Sequence, residues 1–211
     1  MAKRRKEKED ARRAREQERL EAERRRTRNG RIVAVAIAAV AAAIVVFAVS
    51  AGGSPDPPSK DQLGQLTDAA AAAGCSVASF PSEGRTHTGT RVTTYKTNPP
   101  TSGPHNPIPA PDQAYTVAPP KEYYVHSLEH GRVELQYRPD APAAVQAAIR
   151  QVYDESTEHV LLFPNNTGMD FEVAATAWKH RLGCPSFNAR VPAALSLFRD
   201  VYRDHGPEAV P

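Results

Sequence analysis

Val125-His126-Ser127-Leu128-Glu129-His130-Gly131 places two imidazoles and a carboxylate within five residues. How this stretch is read decides the architecture around it. Tyr123-Tyr124-Val125 before it is rich in β-formers. Arg132–Tyr137 after it alternates, with Val133, Leu135 and Tyr137 on one face and Arg132, Glu134 and Gln136 on the other. The pattern predicts a strand over Glu122–Val125, a turn through the histidines, and a half-buried strand over Arg132–Tyr137. In a strand, His126 and His130 would share a face but stand about 13 Å apart, too far for one ion. On a helix or a tight turn they would meet, although Gly131 would end such a turn at once.

The same residues match H-x-x-E-H, which in inverted zinc peptidases lies on a helix where Glu activates a zinc-bound water. With strands expected on both sides, the match reads as coincidental. A tight turn at 126–130 leaves a metal site open. Its candidate ligands are His105, His126 and His130, with Glu129, His87 and Met169 behind them. Imidazole plus thioether suits copper, and imidazole plus Glu129 suits zinc. If the site is catalytic, Glu129 is the candidate general base. The competing reading is structural, with the histidines hydrogen-bonding backbone of the neighbouring proline-rich loop. His159, His180 and His205 stand alone and read as ordinary.

On the C-terminal side, Asp140 and Pro142 predict the start of a helix. Its apolar stripe is Val145, Ala148, Ile149, Val152 and Tyr153. His159–Phe163 reads as a buried strand. Strand, helix, strand predicts a parallel crossover from Arg132–Tyr137 to Val160–Phe163. Phe171–Trp178 reads as a further strand, with Trp178 in the core. Cys184 follows Gly183 in an expected turn. Pro192 opens a last helix with Ala194, Leu197, Phe198, Val201 and Tyr202 on one face, and 206–211 is expected to fray.

On the N-terminal side, residues 99–120 hold eight prolines in 22 positions, His105 among their neighbours. Such a run cannot supply a regular ladder of donors, so an ordered loop is expected. Arg91–Tyr95 is weakly β-favouring. Ser59 and Gln62 form a capping box for a helix that places Leu63, Leu66, Ala70 and Ala73 on one face and ends at Gly74.

Residues 1–31 carry 14 Lys/Arg against 7 Asp/Glu, and the remainder carries 13 against 17. The overall +3 thus averages a basic tail with a mildly acidic body. The tail has no large apolar face and no aromatic residue, so it reads as a membrane-proximal cytoplasmic segment rather than a nucleic-acid binder. Ile32–Val49 has no charge and no proline; at roughly 27 Å as a helix it just spans a hydrocarbon core. The basic flank lies on its N-terminal side, which places residues 50–58 as a linker and 59–205 as an extracytoplasmic domain. A cleaved signal peptide ending near Ser50 is the alternative, but its charged region and apolar core would both be unusually long.

The two cysteines, Cys75 and Cys184, would then sit in an oxidising compartment. An even count without C-x-x-C spacing favours one disulfide over a thiolate metal site.

Asn98-Pro99-Pro100-Thr101-Ser102-Gly103-Pro104-His105, Val125–Gly131 and Thr176-Ala177-Trp178 together resemble the bacterial family called domain of unknown function 3105. The resemblance covers about 75–186 and implies one membrane anchor ahead of the domain. It picks out His105, His126, Glu129 and His130 and supplies no activity. The fold expected is α+β, a small mixed sheet flanked by helices after one transmembrane helix. The function expected is an extracytoplasmic binding module holding copper or zinc through its histidines. A metal-assisted hydrolase and a structural partner of an envelope complex are the alternatives.

Overall fold

A computed structural model of the chain describes residues 56–208 other than Thr93, together with Val210. The basic tail, the apolar stretch 32–49 and most of the linker lie outside those residues. No helix among the described residues is long and apolar enough to cross a membrane.

The domain is α+β. In chain order its elements are α1 (Lys60–Ala72), β1 (Ser76–Ser79), α2 (Lys121–Glu129), β2 (Val133–Tyr137), α3 (Ala143–Glu155), β3 (Val160–Pro164), β4 (Val173–Ala177), β5 (His180–Cys184) and α4 (Val191–Tyr202). The five strands form one mixed sheet in the order β1-β5-β4-β2-β3. The β2 and β3 strands are parallel, joined by the crossover through α3 as the strand-helix-strand pattern predicts. The other pairs are antiparallel.

Local chemistry accounts for α1. The Ser59 hydroxyl accepts from the Gln62 amide, and the Gln62 side chain accepts from the Ser59 amide. At the other end Gly74 adopts φ +71°, letting the Gly74 and Cys75 amides donate to Ala71 and Ala70. That bonding satisfies carbonyls the helix would otherwise leave open. Cys75 is thereby held against Cys184, and the two form a disulfide. Cys184 ends β5 rather than sitting in a turn, because Gly183 and Cys184 continue the pairing with Ala174 and Val173.

Two apolar clusters cover the two faces of the sheet. On one face Val133, Leu135, Val160, Leu162, Val173 and Ala175 pack beneath Leu66, Ile149, Val152, Leu195 and Phe198 of α1, α3 and α4. On the other, Leu161, Phe163 and Trp178 pack with Tyr124, Val125 and Leu128 of α2. Trp178 is therefore core. The β2 strand is not half-buried: Glu134 and Gln136, on its alternating polar face, are fully buried. They are accommodated by a hydrogen-bonded group in which Gln136 Nε2 and Thr176 Oγ1 donate to Glu134 Oε2, and Asn165 Nδ2 donates to Gln136 Oε1. Burial pushes the Glu134 carboxyl well above its ordinary range.

Three further expectations are corrected. Asp140 does not cap α3; Pro142 occupies that position without a side-chain bond, and Asp140 pairs with Arg138 instead. Arg91–Tyr95 contains no strand among its described residues, because the Val92 amide donates to the Glu122 side chain rather than to a ladder. In the segment expected to fray, Gly206 is buried and the Glu208 amide donates to the Glu129 carbonyl.

Candidate metal centre

The strand expected at Glu122–Val125 is instead the first half of α2. Propensity favours strand for Tyr123-Tyr124-Val125, but it is a weak prior that packing overrides. Tyr124, Val125 and Leu128 share one helical face, and that face covers Leu161 and Phe163 of the sheet. Gly131, at φ +80°, then ends the helix: its own amide donates to Leu128 and the Arg132 amide to Ser127. A Cβ on Gly131 would lie 2.8 Å from Cα of Asp204, so glycine is required there on two counts.

Because the motif is helical, His126 and His130 project from one side, one turn apart. Their Nε2 atoms are 2.9 Å from each other. The objection that strand geometry separates them falls away.

The proline-rich stretch delivers the third imidazole. Its conformation is held by bonds to other segments rather than by a ladder of its own. The Asn106 amide donates to the Glu122 carbonyl, the Ala110 amide to Tyr123, and the Ser127 hydroxyl to Ala110. Residues 86–88 run alongside His105, with the Thr88 amide donating to His105 and the His105 amide to Thr86. This short parallel bridge sets His87 beside His105. The rings of His87, His105 and His126 form a triangle with centroids 4.8–4.9 Å apart. Trp178 meets His105 edge-on at 6.2 Å.

Glu129 faces into this triangle. Its Oε2 is 2.9 Å from Nε2 of His105 and 3.4 Å from Nε2 of His87, while Oε1 lies 3.5 Å from Nε of Arg85. His105 and Glu129 are buried; His87 and Arg85 are about half exposed and form the solvent side. One ligand atom each from His87, His105, His126 and Glu129 falls within 4.8 Å of the others. A second set with the same limit is His126, His130 and Glu208.

The protonation pattern suits a cation. Nδ1 of His105 is 2.7 Å from the Gly103 carbonyl, and Nδ1 of His126 is 2.6 Å from that of Asn106. A carbonyl can only accept, so both Nδ1 atoms carry hydrogen, and Nε2 is the nitrogen each ring turns toward the cluster. This is the backbone support that metal-bound histidines ordinarily have. Burial lowers the pKa of His126 and of His130, with neighbouring imidazoles adding to the effect, which keeps both neutral. Nε2 of His105 and Oε2 of Glu129 are both buried and lie 2.9 Å apart, within ion-pair distance but without a well-formed hydrogen bond. Imidazole nitrogens and a carboxylate oxygen gathered at a largely buried point are a donor set that a metal ion can satisfy.

Of the residues singled out in the sequence, the fold brings together His87, His105, His126, Glu129 and His130. Met169 is not among them. It is buried in the loop between β3 and β4, where its amide donates to Asn165. Arg85 and Glu208 escaped the sequence reading. Arg85 lies two residues from His87, but nothing local marks it; Glu208 reaches the centre only through long-range backbone bonds.

The fold and site define a class: a small α+β domain with a histidine-carboxylate cluster between a helix and an ordered loop. The chain belongs to the family described as protein of unknown function DUF3105, whose model matches residues 86–210. The match begins just before His87, later than the 75 expected from motifs, and runs through α4 to the C-terminal segment, past the expected 186. No curated protein and no solved structure matches the chain.

Proposed function

We propose that this protein is a single-pass membrane protein whose extracytoplasmic domain binds one transition-metal ion through His87, His105, His126 and Glu129. The observation that carries the reading is the convergence of His87, His105, His126 and Glu129, whose ligand atoms all lie within 4.8 Å of one another, with three of the four residues buried. Three imidazoles and a carboxylate, without a thiolate or thioether, suit zinc better than copper(I). The apolar stretch 32–49 and its basic N-terminal flank support the anchor and the outward orientation.

Full-length protein in detergent, dialysed against zinc and then against metal-free buffer, is expected to retain one equivalent. His87→Ala is the informative variant, because a half-exposed ring can be removed without emptying the core. It should lower zinc affinity while leaving the unfolding temperature of the metal-free protein unchanged. Wild-type protein that retains neither zinc nor copper after loading overturns the reading.

The helical H-x-x-E-H geometry favours a second reading, a metal-assisted hydrolase with Glu129 as base. Against it, Oε2 of Glu129 sits among the ligands and Oε1 faces Arg85, which leaves no carboxylate oxygen directed at a bound water. Zinc-dependent cleavage of a casein or p-nitrophenyl ester probe, lost in Glu129→Gln, would establish the second reading over the first.

A further inference from the structure

The residues after α4 do not trail away from the domain. They cross directly over the end of α2. The Asp204 amide donates to the Gly131 carbonyl at 2.8 Å, and the Glu208 amide to the Glu129 carbonyl at 3.1 Å. Nη1 of Arg132 donates to both the His130 and Val210 carbonyls, at 3.1 and 2.8 Å. The His159 ring pairs with the Asp204 carboxylate from the other side. Between these ties, Gly206 lies against Gly131 so closely that a Cβ at 206 would be 2.2 Å from the Gly131 nitrogen and 2.3 Å from the Glu129 oxygen. Two glycines at one crossing allow backbone to meet backbone.

The crossing delivers a carboxylate. Oε2 of Glu208 is 3.7 Å from Nε2 of His130, which is itself 2.9 Å from Nε2 of His126. The three atoms fall within the span of one ion's ligands. His126 belongs to this outer set and to the inner one. Its Nδ1 is committed to the Asn106 carbonyl, so a single lone pair serves both. One lone pair binds one ion.

We infer that residues 204–208 form a ligand-bearing strap, and that His130 and Glu208, converging with His126, give the metal ion a second, outer position. This rests on the metal-binding reading above. The strap and the ion then stabilise one another: an ion held in part by Glu208 ties the strap down, and a seated strap raises affinity for the ion by the same factor.

Zinc titration of the full-length protein in detergent separates the outcomes. Wild type is expected to bind one equivalent. Glu208→Gln keeps the backbone bond to Glu129 and removes a charged ligand, so it should weaken zinc by at least about tenfold, with partial recovery in Glu208→Asp. Gly206→Ala leaves every ligand side chain in place, but its Cβ would collide with the backbone of Gly131 and Glu129 and cannot seat the strap, so it should weaken zinc comparably. Its metal-free unfolding transition, measured alongside, shows that the domain still folds. Cobalt(II) substitution adds a readout that mere packing would not move: the visible ligand-field spectrum of Glu208→Gln should differ from that of wild type. Zinc should also slow amide exchange at residues 204–208. Wild-type affinity and an unchanged cobalt spectrum in Glu208→Gln would overturn the strap while leaving the inner site standing. Two equivalents in wild type would overturn the shared-ion arrangement. No binding by wild type would remove the underlying reading itself.

Discussion

Glu134 shows how much a single buried residue can set. It sits on β2 with no solvent contact, its Oε2 accepting two hydrogen bonds and its Oε1 none. Its folded-state pKa lies well above the ordinary 4.5, so the folded protein keeps this carboxyl protonated after the unfolded chain has released it. Below the ordinary value both states hold the proton and the group has no influence. As pH rises from there, the unfolded state alone ionises, and stability falls by up to about 1.4 kcal/mol per pH unit until the folded pKa is reached. Glu134→Gln matches the neutral acid in shape. It is expected to remove that slope, so the variant gains on wild type as pH rises above the ordinary carboxyl range in urea unfolding. Parallel stability curves for the two proteins would contradict it. Gly131 is the second decisive residue. Gly131→Ala places a side chain at positive φ against Asp204 and should cost more than about 1–2 kcal/mol, read from the same experiment.

At the scale of elements, α2 and its two crossing segments make the centre. The helix supplies His126, Glu129 and His130. The proline-rich loop supplies His105, and the bridge beside it supplies His87. The first part of that loop, from Pro99 through Gly103, is buried and serves as an internal scaffold. Each of its ties to α2 therefore positions a ligand. Ser127→Ala removes the bond to the Ala110 carbonyl and is expected to destabilise by roughly 1 kcal/mol while lowering zinc affinity only modestly. The disulfide acts on a different element. It ties the end of α1 to the end of β5 across 109 residues. By loop length alone it contributes up to about 4–5 kcal/mol in the chain-entropy account. Reduction, or Cys75→Ser with Cys184→Ser, should lower the unfolding temperature markedly; an unchanged transition would show that α1 is held by packing alone.

For the whole molecule, the proposed metal binding would be linked to the fold. An ion that binds only the folded state adds about 2.7 kcal/mol at 100 times its Kd. The unfolding temperature should rise on adding zinc and fall back with a chelator, and His105 variants should lose the response. The sheet itself should survive without metal, because the apolar cluster under α1, α3 and α4 is independent of the histidines. Circular dichroism of chelator-treated protein checks this, with retained secondary structure expected.

Much of the domain was legible from local pattern. The capping box of α1, the glycine that ends it, the stripe of α3 and the strand-helix-strand crossover all depend on near neighbours and came out as their periodicity indicated; the alternation of β2 marked the strand but not the burial of its polar face. The even cysteine count without C-x-x-C spacing pointed to the disulfide that the structure shows. The motif at 126–130 marked where to look, and its H-x-x-E-H spacing carried the helical signal that the β-propensity of Tyr123-Tyr124-Val125 obscured. Three things were decided only by tertiary structure. Residues 121–129 became helix because Tyr124, Val125 and Leu128 could then cover the second face of the sheet, which also buried Glu134 and Gln136. His87 joined His105 through a bridge that no short-range pattern encodes. Glu208 reached His130 because Gly206 and Gly131 let two backbones cross, a contact between residues more than seventy positions apart. Periodicity and caps are properties of adjacent residues and can be read one segment at a time; a metal centre is a convergence of distant segments, and only the packed chain brings its ligands to one point.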